Sequence, residues 1–205
     1  MIPRQEESKT GNRIKILTII FVLFTTGIAA SGFEIISCFL FSFLYGYTLK
    51  YFGVFLAAFM FATAAGAFLG GYWKKESPVF QLYICEFIFI VLSLCFYFLP
   101  QGMSAIPNNA YPSIFFCLNL MLGFVTGLEF LILCCLYHSI KSEKSNAGFL
   151  YSVQNFGFSL IAAVFIYTIP LPGLKISTLI ILSAKLISFI SLFTLWKFQP
   201  HRTKV

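Results

Sequence analysis

The sequence predicts an all-α, polytopic membrane protein with six transmembrane helices. Of its 205 residues, 59% are hydrophobic and only 10% are charged, whereas soluble domains contain about 25% charged residues. Several apolar runs exceed the roughly 18 residues that indicate a membrane-spanning helix. None alternates apolar and polar positions as the strands of a membrane barrel would. Lysine and arginine gather at alternate ends of the runs, which indicates six spans and an orientation.

The basic residues set the predicted orientation. Eleven of the fourteen lysines and arginines lie in four clusters at alternate helix ends: Arg4 to Lys15, Lys74 with Lys75, Lys141 with Lys144, and Lys197 to Lys204. Because cytoplasmic loops carry an excess of such residues, we expect an N-in, C-in protein of the bacterial inner membrane. The six-helix domain spans 14–197, between a frayed cytoplasmic tail at 1–13 and another tail at 198–205. The net charge of +7 then reflects topology rather than binding to nucleic acid.

Helices 1 to 3 follow from three apolar runs. Helix 1 is predicted over 14–43; at about 1.5 Å per residue it exceeds the membrane core, which is about 30 Å thick, so it tilts or projects. Tyr45–Tyr47 form the first outer turn, and helix 2 spans 52–73. A basic inner loop leads to Pro78, which suits the first turn of a helix, and helix 3 spans 79–99.

Helices 4 to 6 repeat this organisation. An uncharged outer loop from Pro100 to Pro112 leads to helix 4 at 113–138, and a basic inner loop precedes helix 5 at 148–169. The segment Pro170–Gly173 forces a tight outer turn before helix 6 at 174–197. Two sets of three helices, an odd number each, would be inverted relative to one another. Such inverted repeats are common in secondary transporters.

Helix 2 carries small residues at steps of four, which place them on one face. They are Ala58, Ala62, Gly66 and Gly70. Small residues let two helix backbones approach closely inside a membrane. We expect this stripe to pack against a helix of the same chain; the alternative is a face for dimer formation.

Two glutamates lie deep in apolar runs within similar local sequences. Residues 31–34 read Ser-Gly-Phe-Glu and residues 126–129 read Thr-Gly-Leu-Glu, 95 positions later. A carboxylate at that depth costs about 2.5–3.5 kcal/mol if it faces lipid, so it indicates a protein-facing or wet site. Because the pattern occurs twice, we expect Glu34 and Glu129 to bind a substrate or proton. A purely structural role is the alternative.

Glu86 in helix 3 and Lys185 in helix 6 are the other two ionisable side chains deep in the membrane region. A buried lysine without a partner would lose its proton, so we expect Lys185 to form an ion pair. Counting about 1.5 Å per residue from the helix ends brings Lys185 level with Glu34 and near Glu86. The same count makes Glu129 the poorer partner. We expect a structural pair of Glu86 and Lys185, with Glu34 as the other candidate.

Gln154 and Asn155 lie about one and a half turns into helix 5. Their depth is compatible with that of Glu129, so a shared polar layer for substrate binding is one interpretation. The other is that these amides join helices, as amide side chains often do inside membranes.

The sequence contains no pattern typical of catalysis. It has no aspartate and only two histidines, His138 and His201, and its six cysteines include no CxxC pair. No phosphate-binding loop, metal constellation or Ser-His-acid set is visible. We therefore expect a non-enzymatic protein without a metal or cofactor.

Small-residue patterns along the chain resemble the membrane domain of bacterial spermidine/spermine synthase-like proteins, itself similar to one half of a major-facilitator transporter. The matching patterns are Ser31-Gly32-Phe33, Tyr45-Gly46-Tyr47, Ala57-Ala58-Phe59-Met60, Gly66 with Leu69-Gly70-Gly71, Gly148-Phe149-Leu150-Tyr151 with Gly157, and the turn from Pro170 to Leu174. The resemblance implies a half-facilitator fold. The 205 residues include no counterpart of the aminopropyltransferase domain, so we expect no synthase activity from them.

These observations favour a transporter-like, half-facilitator subunit that binds a proton or a small cationic solute. It would act in the lipid bilayer as a homodimer or with partner subunits. The alternative is a membrane anchor or quinone-adjacent subunit of a larger redox or biosynthetic complex.

Overall fold

The computed structural model describes residues 4–46, 49–72, 77–102, 110–141, 147–169 and 173–197. Six α-helices occupy nearly all of these ranges: α1 (Arg4–Tyr45), α2 (Leu49–Gly70), α3 (Pro78–Gly102), α4 (Tyr111–Lys141), α5 (Ala147–Thr168) and α6 (Leu174–Lys197). Each helix is long and apolar enough to cross a membrane. The prediction of an all-helical fold with six apolar spans is therefore confirmed for the described residues, and the chain is a multi-pass membrane protein.

The helix limits agree with the predicted ones to within three residues, except at the start of α1. The segment 4–13, which we expected to be frayed, continues α1. It is rich in Gln, Glu, Lys and Arg, which favour helices, and no proline interrupts it. The helix therefore does not stop where its apolar part begins, and its candidate membrane span starts only at Gly11.

Several predicted connecting segments lie outside the described residues. They are Tyr47 of the first turn, loop residues 73–76, 103–109 and 142–146, turn residues 170–172, and the tail at 198–205. At the described edges of the two turns, Gly46 and Gly173 have φ angles of 76° and 84°. Glycine adopts this left-handed conformation without steric cost, which lets α1 end at Tyr45 and lets the chain turn into α6.

The centre of the bundle consists of α1 and α4. α1 packs against α4, α5 and α6, and α4 packs against α1, α2 and α3. α3 and α6 pack against each other, whereas α2 contacts mainly α4 and α5 contacts mainly α1. As a result, the spans of α1 and α4 are the most buried and those of α2 and α5 the least. A polar site shared by several helices is therefore expected along α1 and α4.

Glycines bring the backbones of α2 and α4 into direct contact. A Cβ atom added at Gly66 would collide with the carbonyl oxygen of Phe124, and one added at Gly127 would collide with that of Thr63. All members of the predicted stripe are buried, namely Ala58, Ala62, Gly66 and Gly70. The stripe thus packs against a helix of the same chain and is not available as a dimer face.

The same kind of contact joins α1 to α5. A Cβ atom added at Gly27 would collide with the carbonyl oxygen of Gln154, and one added at Gly157 would collide with that of Phe24. Inside a membrane, close backbone approach contributes to helix association because apolar side chains gain little by leaving lipid. The two glycine contacts therefore hold the outer helices α2 and α5 on the central ones.

Aromatic rings join α1 to its neighbours near the end of the helix. The ring centroid of Phe41 lies 4.9 Å from that of Phe55 on α2 and 6.0 Å from that of Phe115 on α4. Both contacts are edge-to-face, a favourable arrangement. Eight residues earlier on α1, the ring of Phe33 stacks on that of Phe96 of α3, with centroids 4.8 Å apart. The contact of Phe41 with Phe115 shows that these parts of α1 and α4 lie at the same depth.

Candidate functional site

Lys185 lies at the middle of α6 and is fully buried. Eleven positions separate it from the first residue of the helix, Leu174, and twelve from the last, Lys197. Its ammonium nitrogen is 3.2 Å from Glu86 Oε1 on α3 and 3.5 Å from both carboxylate oxygens of Glu129 on α4. Neither carboxylate is exposed. One lysine thus joins three helices through two carboxyl groups.

Thr26 on α1 completes the surroundings of the ammonium group. Lys185 Nζ donates to Thr26 Oγ1 over 2.9 Å, and Thr26 Oγ1 lies 2.8 Å from Glu129 Oε1. An ammonium group has three N–H donors, and Thr26, Glu86 and Glu129 supply three acceptors. The nitrogen also lies 4.1 Å from the centroid of the Phe89 ring, whose π face attracts a cation. Protein groups therefore replace the water around this charge.

The two carboxyl groups leave one acceptor unused. Glu86 Oε1 accepts hydrogen bonds from Lys185 and from the hydroxyl of Ser188, but Glu86 Oε2 has no hydrogen-bond partner among the described residues. Both oxygens of Glu129 lie 3.5 Å from the same ammonium nitrogen, so the two carboxyl groups are close neighbours. Two ionised carboxylates only accept hydrogen bonds. A proton on either group would remove the repulsion between their like charges.

We call Thr26, Glu86, Glu129, Lys185 and Ser188 the charge cluster. When all its groups are ionised, it holds two negative charges and one positive charge without any exposed carboxylate or ammonium surface. An uncompensated buried charge costs on the order of several kcal/mol. Uptake of one proton removes this excess. The arrangement is therefore suited to reversible binding of a single positive charge.

Glu34 lies apart from the charge cluster. It is 6% exposed, and its Oε1 has no hydrogen-bond partner among the described residues. The structure pairs Lys185 with Glu86, so the alternative pairing with Glu34 is wrong. The similar local sequences also have different surroundings, because Gly127 meets the backbone of α2 whereas Gly32 meets the side chain of Ile181.

The expected polar layer between helix 5 and Glu129 is not formed by the described residues. Gln154 is half-buried and Asn155 is exposed, and Glu129 instead contacts Thr26 and Lys185. The reason is the helix order, since α5 packs on α1 and α1 packs on α4. Depth along a helix indicated a shared level, but it did not indicate which helices are neighbours.

The expectation that Glu129 is a poor partner for Lys185 is also wrong. The depth count started from a predicted helix end at His138, whereas α4 continues to Lys141. Twelve positions separate Glu129 from that end, the same number that separates Lys185 from the end of α6. The two side chains therefore share a level, and Glu129 belongs with the pair that we had assigned a purely structural role.

Sequence reasoning did not identify Thr26 and Ser188. Ser188 is one turn after Lys185, so its side chain is a plausible neighbour of whatever carboxylate the lysine contacts. Thr26 precedes Gly27 just as Thr126 precedes Gly127, which is the only signal that distinguishes it from other threonines in apolar runs.

Comparisons with known proteins give no further assignment of this arrangement. No protein-family model, curated protein or solved structure matches the chain.

Proposed function

We propose that the protein is a non-enzymatic, transporter-like membrane module, built like one half of a facilitator, whose charge cluster binds a proton. The observation that carries the proposal is that two fully buried carboxyl groups, Glu86 and Glu129, share one ammonium group, Lys185. A fixed ion pair needs only one carboxylate. A second one supplies a group that can gain and lose a proton, and intramembrane carboxylates of this kind mark ion pathways and proton relays.

The helix packing supports an inverted repeat of α1–α3 and α4–α6. If α1 is exchanged with α4, α2 with α5 and α3 with α6, the contact α2–α4 becomes α5–α1, and α1–α6 becomes α4–α3. The contacts α1–α4 and α3–α6 map onto themselves. Every extensive helix contact thus has a counterpart, as two halves related by a pseudo-two-fold axis would require.

The glycine contacts supply a register for α1 and α4. The carbonyl oxygens of Phe24 and Phe124 each face a glycine on an outer helix, and three residues later Gly27 and Gly127 face carbonyl oxygens of those outer helices. This pairing has an offset of 100 residues, and both segments read Phe-x-Thr-Gly-aliphatic. It replaces the 95-residue offset that the glutamate patterns favoured.

The outer helices give a consistent register. Gln154 and Gly157 on α5 make the contacts that Thr63 and Gly66 make on α2. Both pairs are three residues apart, and both have an offset of 91 residues. The same spacing on both sides of the two helix contacts supports a repeat that includes backbone geometry as well as helix order.

This register distinguishes packing residues from charged ones. Thr26 corresponds to Thr126, whereas Glu129 corresponds to Ala29. The halves thus share the threonine and glycine at the helix contact. Each half supplies one carboxylate to the charge cluster, but Glu86 lies on α3 and Glu129 on α4, two helices that the repeat does not relate to each other. We infer that the proton site is a single asymmetric site between the halves rather than one of a symmetric pair.

We further propose that the end of the bundle at which α1 begins and α6 ends faces the cytoplasm of a bacterial cell. The four clusters of lysine and arginine support this orientation. The proposed relation to the membrane domain of spermidine/spermine synthase-like proteins rests on the small-residue patterns. Gly66, Gly70 and Gly157 in those patterns are buried at helix contacts, as residues retained for packing would be.

Flux measurements in vesicles test the proposal. Purified protein is reconstituted into liposomes that contain a pH-sensitive dye, and gradients of Na⁺, K⁺ and small organic amines are applied in turn. We expect at least one gradient to change the internal pH, and we expect Glu129→Gln to abolish the change. Ser93→Ala is the matched control, because Ser93 is buried but, among the described residues, its hydroxyl bonds only to Phe89 of its own helix. Equal pH changes with wild type and Glu129→Gln, or none with wild type, would contradict the proposal.

A membrane anchor, or a quinone-adjacent subunit of a larger complex, is the second candidate. It is favoured by α5, where Asn155 is exposed within the candidate membrane span and Gln154 is only half-buried. A polar amide is costly against lipid, so this face suits a protein neighbour. The mass of the native assembly separates the two functions: a homodimer favours transport, and a stable hetero-complex favours the anchor.

A further inference from the structure

A second group of buried polar atoms lies along α1 and α4, outside the charge cluster. Four oxygen atoms here have no hydrogen-bond partner among the described residues: Ser31 Oγ, Glu34 Oε1, Ser37 Oγ and Asn119 Oδ1. Ser31, Ser37 and Asn119 are fully buried, and Glu34 nearly so. We call these four residues the oxygen row. Buried polar groups are nearly always hydrogen-bonded, and each exception requires an explanation.

The two serines of the row differ from other buried hydroxyl groups in this protein. Inside a helix, a serine or threonine hydroxyl commonly bonds to the carbonyl oxygen three or four residues earlier. Ser93 and Thr126 do so, with donor–acceptor distances of 2.8 Å. Ser31 and Ser37 make no such bond among the described residues. Their hydroxyl oxygens therefore remain available to a ligand.

The α1 part of the row is continuous. Ser31, Glu34 and Ser37 are spaced three residues apart, so each is a neighbour of the next along the helix surface. Glu34 lies eight residues beyond Thr26, a rise of about 12 Å along the helix. The row is thus a separate feature, about two turns of α1 away from the charge cluster.

Asn119 on α4 lies at the same depth as Ser37 on α1. Ser37 precedes Phe41 by four residues, and Asn119 follows Phe115 by four; the two rings are in contact, with centroids 6.0 Å apart. α1 and α4 run in opposite directions. Ser37 on α1 and Asn119 on α4 therefore each lie one turn closer to the charge cluster than the two rings do. The amide nitrogen of Asn119 donates to the carbonyl oxygen of Phe115 over 2.8 Å, which leaves Oδ1 as the free end of the amide.

The row has the composition of a site for a small cation. Its unmatched atoms are a carboxylate oxygen, two hydroxyl oxygens and an amide oxygen, all of which can accept hydrogen bonds or coordinate a hard cation. One carboxylate matches one positive charge, whereas divalent cations usually take more. The described residues contain no group of three or more His, Cys, Asp or Glu that could hold a metal ion, which disfavours a transition metal.

We propose that the oxygen row binds one small monovalent cation, either an alkali ion or the ammonium group of a primary amine. Glu34 supplies the charge, and Ser37 and Asn119 supply neutral oxygens. Ser31 is about 9 Å from Ser37 along the helix, so it lies beside the bound ion's site rather than in contact with the same ion as Ser37. The inference goes beyond the proposed function, which places a proton at Glu86 and Glu129. A cation at Glu34 would give the module two separate positively charged ligands along the same helix interface.

A thermal-shift titration of the full chain tests this site. The purified protein is unfolded in detergent with increasing NaCl, KCl or methylammonium chloride, and choline chloride at equal ionic strength serves as the control. A ligand that binds only the folded state raises Tm with concentration. We expect at least one of the three cations to raise Tm relative to choline, whose quaternary nitrogen is shielded by methyl groups and has no N–H donor.

The variants locate the response. Glu34→Gln should remove it, and Ser37→Ala should weaken the apparent affinity by about tenfold or more. Ser93→Ala is the matched control and should keep the response, because the Ser93 hydroxyl donates to the carbonyl oxygen of Phe89 and lies outside the row. If Glu34→Gln does not fold, Ser37→Ala compared with Ser93→Ala still decides the matter. The proposal is overturned if no cation exceeds choline with the wild type, or if Ser37→Ala titrates like Ser93→Ala.

Discussion

The ammonium nitrogen of Lys185 and Oε1 of Glu86 lie 3.2 Å apart, and neither side chain is exposed. In such a pair, loss of one partner strands the other charge and typically costs about 3–5 kcal/mol, whereas loss of both can be nearly neutral. Here the lysine also lies 3.5 Å from Glu129. Lys185 is therefore the common counter-ion of two carboxyl groups, and this relationship is the basis of the proposed proton site.

A double-mutant cycle measures that relationship. Lys185→Met should lower the free energy of unfolding by about 3–5 kcal/mol, because two buried carboxyl groups lose their counter-ion. Adding Glu86→Gln or Glu129→Gln should restore part of the loss, since residues in one network are energetically coupled. Adding Glu34→Gln should restore none. Reversible unfolding in mixed micelles provides the measurement, and recovery with Glu34→Gln alone would be inconsistent with the geometry.

The contact between α2 and α4 predicts a sharp intolerance at Gly66. A Cβ atom there would collide with the carbonyl oxygen of Phe124, so Gly66→Ala should reduce the free energy of unfolding by about 1–3 kcal/mol through overpacking. Gly66→Leu should prevent the protein from accumulating. Gly53→Ala is the matched control on the same helix, because Gly53 has no atom within 4 Å of an added Cβ. Normal accumulation of Gly66→Leu would show that the contact is not tight.

The register of the proposed repeat makes a separate prediction about three glycines. Gly27→Ala and Gly127→Ala should destabilise the protein to a similar extent, because each added Cβ meets a backbone carbonyl group. Gly32→Ala should cost less, because its Cβ meets the end of the Ile181 side chain, which can move aside. Thermal unfolding of the three variants provides the comparison. A large cost for Gly32→Ala together with a small cost for Gly27→Ala would favour the 95-residue offset instead.

The predicted orientation is open to a labelling test. Because lysine and arginine cluster at one end of the bundle, a tag placed after Val205 should report from the cytoplasm. Activity of a periplasm-dependent reporter at that position would reverse the assigned topology, while a reporter inserted between residues 106 and 107 serves as the positive control for the opposite side.

The helices themselves were predictable from the sequence, and the reasons are local. An apolar run of about 20 residues can satisfy its backbone in a membrane only as a helix, so the limits of α6 agree at both Leu174 and Lys197. Glu86 was also predicted as the partner of Lys185, because a lysine buried in the middle of a membrane helix requires a carboxylate. Helix length and the cost of buried charge decide these features without tertiary information.

The rest depends on which helices are neighbours. Glu129 was judged the poorer partner for Lys185 because its depth was counted from His138. α4 continues for three more residues, to Lys141, which places Glu129 deeper in the membrane. Gln154 and Asn155 were grouped with Glu129 because depth along separate helices cannot indicate that α1 lies between α5 and α4. Thr26 was missed because a threonine in an apolar run usually bonds to its own backbone. Thr26 does so too, through the carbonyl oxygen of Val22, and only the packing of α1 on α4 and α6 brings it to Glu129 and Lys185.

Infrared difference spectroscopy tests the central claim most directly, because the C=O stretching band of a carboxyl group reports whether it holds a proton. With one ammonium group among two buried carboxyl groups, we predict one protonated carboxyl group in the cluster at neutral pH. Glu86→Gln and Glu129→Gln should each remove its band, since the remaining carboxylate pairs with Lys185. Lys185→Met should increase the intensity, because both carboxyl groups then hold protons.

Glu34→Gln is the control variant, since any band from Glu34 disappears only there. The account predicts that the Glu34→Gln protein keeps a protonated-carboxyl band and that adding Glu129→Gln removes it. A spectrum without any such band in Glu34→Gln, or one that Glu129→Gln leaves unchanged, would contradict the claim that the cluster binds a proton.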